Sequence, residues 1–440
     1  MKTLYKILIS LPLLWLITAV MCLFASCKVD PIADPNNPGL VSIEQNATLG
    51  EIQNVVDGTE SGMRNDMDFY FDDVGVIGRE FYRFATSDPR YTSELLGSGN
   101  STLDNTTFYI TRPFESMYRV VKNTNILIAA LQNTKAAISD EERKVGIAYA
   151  KTIQAYEFLL AFNLEYGNGI RVDVANPDSL GPFLSKEESL NAIQDLLNTA
   201  NTDLKSNTTA FPFNSSIFGN MASEFSKFNR ALAARVAAYR KDWPQANTAL
   251  SESFLNLTGS LTAGAYYLFS TAGGDLLNLQ FYPLNSSGET RVVQPNFISE
   301  AEAGDTRVPA KTSKRTSAES QDGLSSLYDF YVYKTNDARI PIIRNEELIL
   351  LYAEVQAQLA NPTDAVDAIN IIRRSASLGN YGGATDLNSL INEILKQRRY
   401  SLYGEGHRWI DMRRYDKLDE LPIDRPGDDV WIEFPRPANE

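Results

Sequence analysis

Leu395–Tyr415 reads LKQRRYSLYGEGHRWIDMRRY, a stretch dense in charge of both signs and interrupted by Gly404 and Gly406. Ahead of the glycines, Leu387, Leu390, Ile391, Ile394, Leu395 and Leu402 recur at helical spacing, and Gly404 is the natural C-terminal stop. Arg398, Arg399, Glu405, Arg408, Asp411 and Arg414 look at first like an acid–base constellation. Opposite charges this close together on a helix–turn–helix more often make a structural ion-pair network, with the glycines permitting the turn. His407 has no Ser or Cys nucleophile in a recognisable motif and no HExxH-type spacing, so it reads as a core or capping histidine.

Moving towards the N-terminus, the helical pattern repeats. Leu348, Leu351, Tyr352, Val355 and Leu359 lie on one helix face, with Glu346 and Glu347 suited to its first turn. Lys144–Tyr166 carries an amphipathic stripe closed by Gly167 and Gly169, and Phe114–Leu131 has a similar period. Two helix pairs resemble one another: Ala234–Leu250 (ARVAAYRKDWPQANTAL) aligns with Ala353–Ile369 (AEVQAQLANPTDAVDAI). Alanines recur at matching positions, and the breaker falls at Trp243-Pro244 in one and Pro362-Thr363 in the other. Small residues at these positions let antiparallel helices approach closely, as in tetratricopeptide repeats. The fold class expected is mostly α: tetratricopeptide-like helix pairs forming a scaffold, with long loop-rich insertions and a little β. The insertions are Asp66–Thr111 and Leu255–Ile340, both rich in aromatics, in which Asp329–Lys334 could be a strand.

Composition narrows the function. The chain has 440 residues, 43% hydrophobic, with 41 Lys+Arg against 55 Asp+Glu and a formal net charge of −14. That balance argues against nucleic acid as a partner and disfavours strongly anionic polysaccharides, although a local basic pocket could still take one. One histidine and two cysteines leave little room for His- or Cys-based catalysis, and neither a metal nor a cofactor is expected. Asp72-Asp73 and Asp428-Asp429 read as solvated surface in so acidic a chain.

The first residues give a location. Lys2 and Lys6 precede an apolar run from Ile7 to Phe24, which ends in Ala25-Ser26-Cys27. Small residues before a cysteine fit a lipoprotein signal peptidase, whose product carries its lipid on Cys27; Cys22 would leave with the leader. An uncleaved anchor is the weaker reading, because the run is barely long enough to span. Asp30-Pro31 to Pro38-Gly39 cannot form a helix and reads as a tether. The expected division is a signal peptide over 1–26, a lipidated tether over 27–45 and a single domain over 46–440, with parts of about 46–250 and 251–440.

These blocks converge on one family. Glu405-Gly406, Arg408, Asp411, Arg414 and Tyr415 fall on the pattern E-R-x-x-E-L-x-x-E-G-x-R-x-x-D-L-x-R-W of SusD-like (RagB/SusD) nutrient-uptake lipoproteins, which the segment closely resembles. Arg344–Glu354, Ala368–Ala376, Ser226–Ala246 and Phe434–Glu440 resemble further family blocks in the expected order. Gln397 and Ser401 replace two glutamates of the pattern, and Phe114 stands where a tryptophan is usual.

The resemblance implies a lipid-anchored outer-membrane protein facing the cell exterior. It would sit on a SusC-like, TonB-dependent barrel and deliver an oligosaccharide to it without catalysis. Peptide cargo, a lipid-anchored glycosidase and a helical-repeat envelope scaffold remain as alternatives. The family's ligand residues vary, so candidates come from the chemistry of sugars, whose apolar C–H faces stack on rings and whose hydroxyls pair with planar polar groups. Tyr70, Arg79, Tyr82, Arg83, Asp88, Arg90, Tyr91 and Asn100 supply that mixture in the first insertion, and Tyr266, Tyr267 and Tyr282 in the second.

Overall fold

The computed structural model describes residues 39–205 and 207–440. The expected leader and the lipidation site Cys27 lie outside the described residues. Of the expected tether, residues from Leu40 onward form the Leu40–Asn46 helix. The compact unit runs from Glu44 to Glu440.

Its scaffold is a succession of antiparallel helices. Phe108–Asn133 packs against both Leu49–Gly62 and Asp140–Glu165, and Asp140–Glu165 packs in turn against Lys186–Leu204. Lys186–Leu204 meets Ala222–Tyr239, which pairs with Trp243–Ser251. Local chemistry fixes the helix starts. Thr48, Ser139 and Ser185 each accept the backbone N–H of a glutamate three residues on (Glu51, Glu142, Glu188), whose carboxylate reaches back to the cap. Those bonds hold the three carboxyls below the usual range.

The two similar stretches are two helix pairs. Ala222–Tyr239 with Trp243–Ser251 corresponds to Asn345–Gln358 with Pro362–Ser375, and a proline stands in the first turn of each second helix, where its missing N–H costs nothing. Ala234, Ala238, Ala246 and Ala249 are buried in one pair, and Ala353, Ala357, Ala365 and Ala368 in the other. The second pair continues into Leu387–Ser401 around a core of Ile349, Leu350, Ile369, Ile372, Ile391 and Ile394. The scaffold is therefore mostly α and built of tetratricopeptide-like pairs.

Among the described residues there are five strands within the insertions, β1 (Phe81–Ala85), β2 (Gly264–Tyr267), β3 (Glu289–Val293), β4 (Thr312–Gln321) and β5 (Leu324–Phe330), and a sixth, β6 (Ile340–Arg344), that leaves the second. Four form an antiparallel sheet in the order β1-β3-β5-β4, and β2 pairs with β6. Asp329–Lys334 is strand only at its start, because β5 ends at Phe330. The Asp66–Thr111 stretch is not all loop, since Met67–Ile77 is a helix. That helix is buried at every position from Tyr70 to Ile77, so it lacks the polar stripe by which a surface helix is recognised. Asp72 and Asp73 are consequently core residues, 1% and 0% exposed, rather than solvated surface. Arg291 on β3 makes a two-pronged ion pair with Asp72 at 2.5 and 2.7 Å. Asp428 is also buried, against Arg425, while Asp429 is exposed.

The C-terminal charge cluster is a buried network. Arg398 donates to Asp411 (2.6 Å), Arg414 to Asp411 (2.9 Å) and to Glu354 (2.7 Å), and Arg344 to Glu405 (2.9 Å). Gly404 and Gly406 take φ of +75° and +79° at the turn, and a side chain at Gly404 would meet the Phe330 ring. Arg408 departs from the expected network: it has no ion-pair partner among the described residues and borders a groove with Lys396 and Arg399. His407 precedes the Arg408–Arg414 helix, and burial drives its pKa down to about 4. It is therefore neutral where it faces Glu347.

Candidate functional site

The residues singled out from sequence do not form one open platform. Tyr82 and Tyr91 are 2% and 6% exposed, and Tyr70, Arg79, Arg83, Tyr266 and Tyr267 are buried as well. As folded, these side chains serve the packing of the insertions and offer no open face to a ligand. Tyr267 and Tyr156 share a hydroxyl hydrogen bond of 2.6 Å, and Tyr70 accepts from Asn163 at 3.0 Å. Tyr266 lies under the Arg339 guanidinium at 3.9 Å. Arg79 (φ +55°) donates to the carbonyls of Pro422 and Asp429, pinning the C-terminal segment to the end of the Met67–Ile77 helix. Arg83 donates to the hydroxyl of half-buried Tyr282 at 2.8 Å and lies over the rings of Tyr91 and Tyr282. Asp88 and Arg90 pair with one another at 2.5 Å and are half-buried, and Asn100 is exposed.

None of these residues lines the open cleft nearby, but Arg90 and Tyr91 back one of its rings through Phe108. The Arg90 guanidinium rests 4.7 Å over Phe108, against which Tyr91 and Phe69 both pack at 5.4 Å. Phe69 in turn forms part of a cleft of about 320 Å³. One wall is the turn Arg64–Asp68, another is Arg112 and Arg119 on the Phe108–Asn133 helix, and the third is the 269–280 loop. Two rings line it, each with a guanidinium against it: Arg112 over Phe69 at 5.1 Å and Arg64 over Phe269 at 6.0 Å.

The cleft is held by polar bonds between distant segments. Arg64 donates to the Leu268 carbonyl (2.5 Å) and to Asp275 (2.8 Å), fixing the loop. Asp66, in the left-handed region at φ 54°, accepts from Ser116 at 2.6 Å. Gln280 is 1% exposed and donates to the Asp68 carbonyl at 3.0 Å, which leaves its Oε1 without a partner among the described residues. Burial, reinforced by Asp72, pushes Asp68 up to about 6 against the pull of Arg291. Below about pH 6 this carboxyl can thus donate as well as accept. Among the described residues no Ser, His or Cys borders the cleft. Rings edged by guanidinium, amide and carboxyl groups suit a ligand with apolar faces and a hydroxyl rim.

The rings singled out from sequence are for the most part the inner rings of the two insertions. Phe69 and Phe269 stand next to Asp68 and Leu268, a local signal no stronger than that of the buried tyrosines.

The molecule is thus a scaffold of helix pairs with a small inserted sheet and a polar–aromatic cleft. Residues 325–423 match the family model described as the SusD family, and that match encloses the blocks Arg344–Glu354, Ala368–Ala376 and Leu395–Tyr415. SusD-like protein P38 of Formosa agariphila is 34% identical over 94 residues, which are 20% of this chain and 19% of that protein, so the chain matches about a fifth of this curated relative. A SusD superfamily protein from Bacteroides vulgatus superposes with a TM-score of 0.67 at 16% identity, over 89% of this chain and 96% of that one. Surface glycan-binding protein A from Bacteroides thetaiotaomicron, solved in complex with laminarihexaose, gives 0.65 at 14% identity, over 84% and 91%. The chain is SusD-like: it has the fold of the SusD superfamily and carries the SusD family match in its C-terminal part. Among the described residues no helix is long and apolar enough to cross a membrane.

Proposed function

We propose that this chain is a surface glycan-binding protein that captures an oligosaccharide in the Phe69–Phe269 cleft and passes it on without chemical change. The observation that carries the reading is the pairing of two aromatic walls with Arg64, Arg112, Asp68 and Gln280 in one cleft between insertions. The laminarihexaose complex of a protein with the same fold supports a sugar as the ligand class. The family resemblance and the Ala25-Ser26-Cys27 sequence support lipidation at Cys27, a tether over 27–45, outer-membrane anchoring towards the exterior and delivery to a SusC-like, TonB-dependent barrel.

The test is affinity electrophoresis of the purified protein through gels containing neutral polysaccharides, with Phe69→Ala and Phe269→Ala alongside. At least one polysaccharide should retard the protein, and each variant should weaken binding by about tenfold, the worth of one stacked ring of roughly 1 kcal/mol or slightly more. Retardation unchanged in both variants would remove the cleft from the reading. Binding to a peptide panel and to no glycan would replace the cargo. Release of sugar products by the protein alone would make it an enzyme.

A further inference from the structure

A second cavity, of about 220 Å³, has a wall whose charged side chains are mainly basic. It lies where the end of Asp140–Glu165, the start of Lys186–Leu204, the end of Ala222–Tyr239 and the Arg408–Arg414 helix converge. Arg414 on its wall is neutralised by Glu354 and Asp411. Arg413 is not. Its guanidinium donates to the Ile432 and Asn163 carbonyls at 2.8 Å each and is sandwiched 3.9 Å from the Tyr166 ring and 4.3 Å from Trp409. It is 2% exposed, its Nε is unbonded, and no carboxylate pairs with it among the described residues. Burial pulls its pKa down to about 10, so it remains charged.

Two lysines add to this. Lys186 donates to the Tyr166 hydroxyl at 2.7 Å and lies 4.2 Å over its ring, and Lys241 is exposed at the rim. Neither has an ion-pair partner among the described residues, and the one acid on the wall, exposed Asp416, pairs with no cation there. The backbone around the cavity is strained. Tyr166 sits at φ 41°, ψ −99°, while Lys241 and Asp416 take φ of 58° and 54°. Non-glycine residues held in such conformations cluster at ligand sites. A desolvated cation without a counter-charge is costly, and an incoming anion relieves that cost.

We propose that this cavity binds the oxyanion of a small ring-shaped ligand, a sugar carboxylate or a sulfate ester, with Lys186 and Lys241 as direct contacts and Arg413 as a fixed positive wall. The site is distinct from the Phe69–Phe269 cleft and does not depend on the reading given to it. It also gives an acidic protein a local means of accepting an acidic sugar.

Calorimetric titration of the full chain at low salt with glucuronate, glucose and inorganic sulfate tests it. Glucuronate or sulfate should bind and glucose should not. Lys186→Gln and Lys241→Gln should each weaken that binding about tenfold or more, since a hydrogen bond to a charged group contributes roughly 1.5–3 kcal/mol. Both variants should melt as the parent does, and Phe69→Ala should bind the anion normally. Glucuronate without sulfate assigns the carboxylate, and sulfate without glucuronate assigns the ester. Absence of anion binding, or anion binding intact in the Lys186→Gln/Lys241→Gln double variant, overturns the proposal.

Discussion

Arg235 and Glu347 meet through two hydrogen bonds of 2.8 and 2.7 Å, both side chains buried and more than a hundred residues apart in sequence. Removing one partner leaves the other charge desolvated and alone. Arg235→Ala is expected to cost about 3–5 kcal/mol, read as a lowered urea midpoint, whereas exposed pairs such as Arg119–Glu115 should contribute little. Two of the shifted carboxyls show how pH enters the stability. Arg398 and Arg414 hold Asp411 down to about 2 despite its burial, from an ordinary 3.8. Its contribution is therefore complete above pH 3.8 and lost as pH falls towards 2. Glu80 runs the other way: burial raises it from 4.5 to about 8, so its contribution is complete below pH 4.5 and fades as pH rises through 8. Glu80→Gln should flatten the alkaline limb of a stability–pH curve and leave the acid limb in place. That Asp411, Arg398 and Arg414 would be structural was legible in the charge density along Leu395–Tyr415. The partners were not, because Asp72 finds Arg291 and Arg235 finds Glu347 only through the folded backbone.

Individual elements were legible where one face stays wet. Leu387–Ser401 shows its periodic leucines and isoleucines against a polar back, whereas Asn345–Gln358, buried nearly all round, was legible only from its apolar spacing and the Glu346-Glu347 start. Met67–Ile77 hid because its burial leaves no contrast between faces. The small residues at the helix-pair seams give a test. Ala365→Leu, at a fully buried position, forces the two helices apart and should cost about 1–3 kcal/mol of stability, measured by thermal or chemical denaturation. In the first insertion, Tyr91→Ala removes a buried ring from between Arg83 and Phe108 and should cost about 3 kcal/mol. Half-buried Phe69→Ala should cost binding with little loss of stability, so the pair separates supporting rings from contacting ones.

The molecule as a whole is stitched across its middle. β1 from the N-terminal part pairs with β3 from the C-terminal part, in the register Phe81↔Val293 to Ala85↔Glu289. Asp72–Arg291, Arg235–Glu347 and the Arg413 bond to Asn163 cross the same boundary. Fragments 46–250 and 251–440 expressed separately should each lack a cooperative melting transition by circular dichroism, and mixing them should restore one.

By itself the sequence determined the class of scaffold, because helix periodicity, capping residues and alanine seams are local properties that survive without knowledge of neighbours. Only the tertiary structure decided which rings face outward and which charges lack a counter-ion. Exposure of a tyrosine, or neutralisation of an arginine, depends on segments brought together from hundreds of residues away.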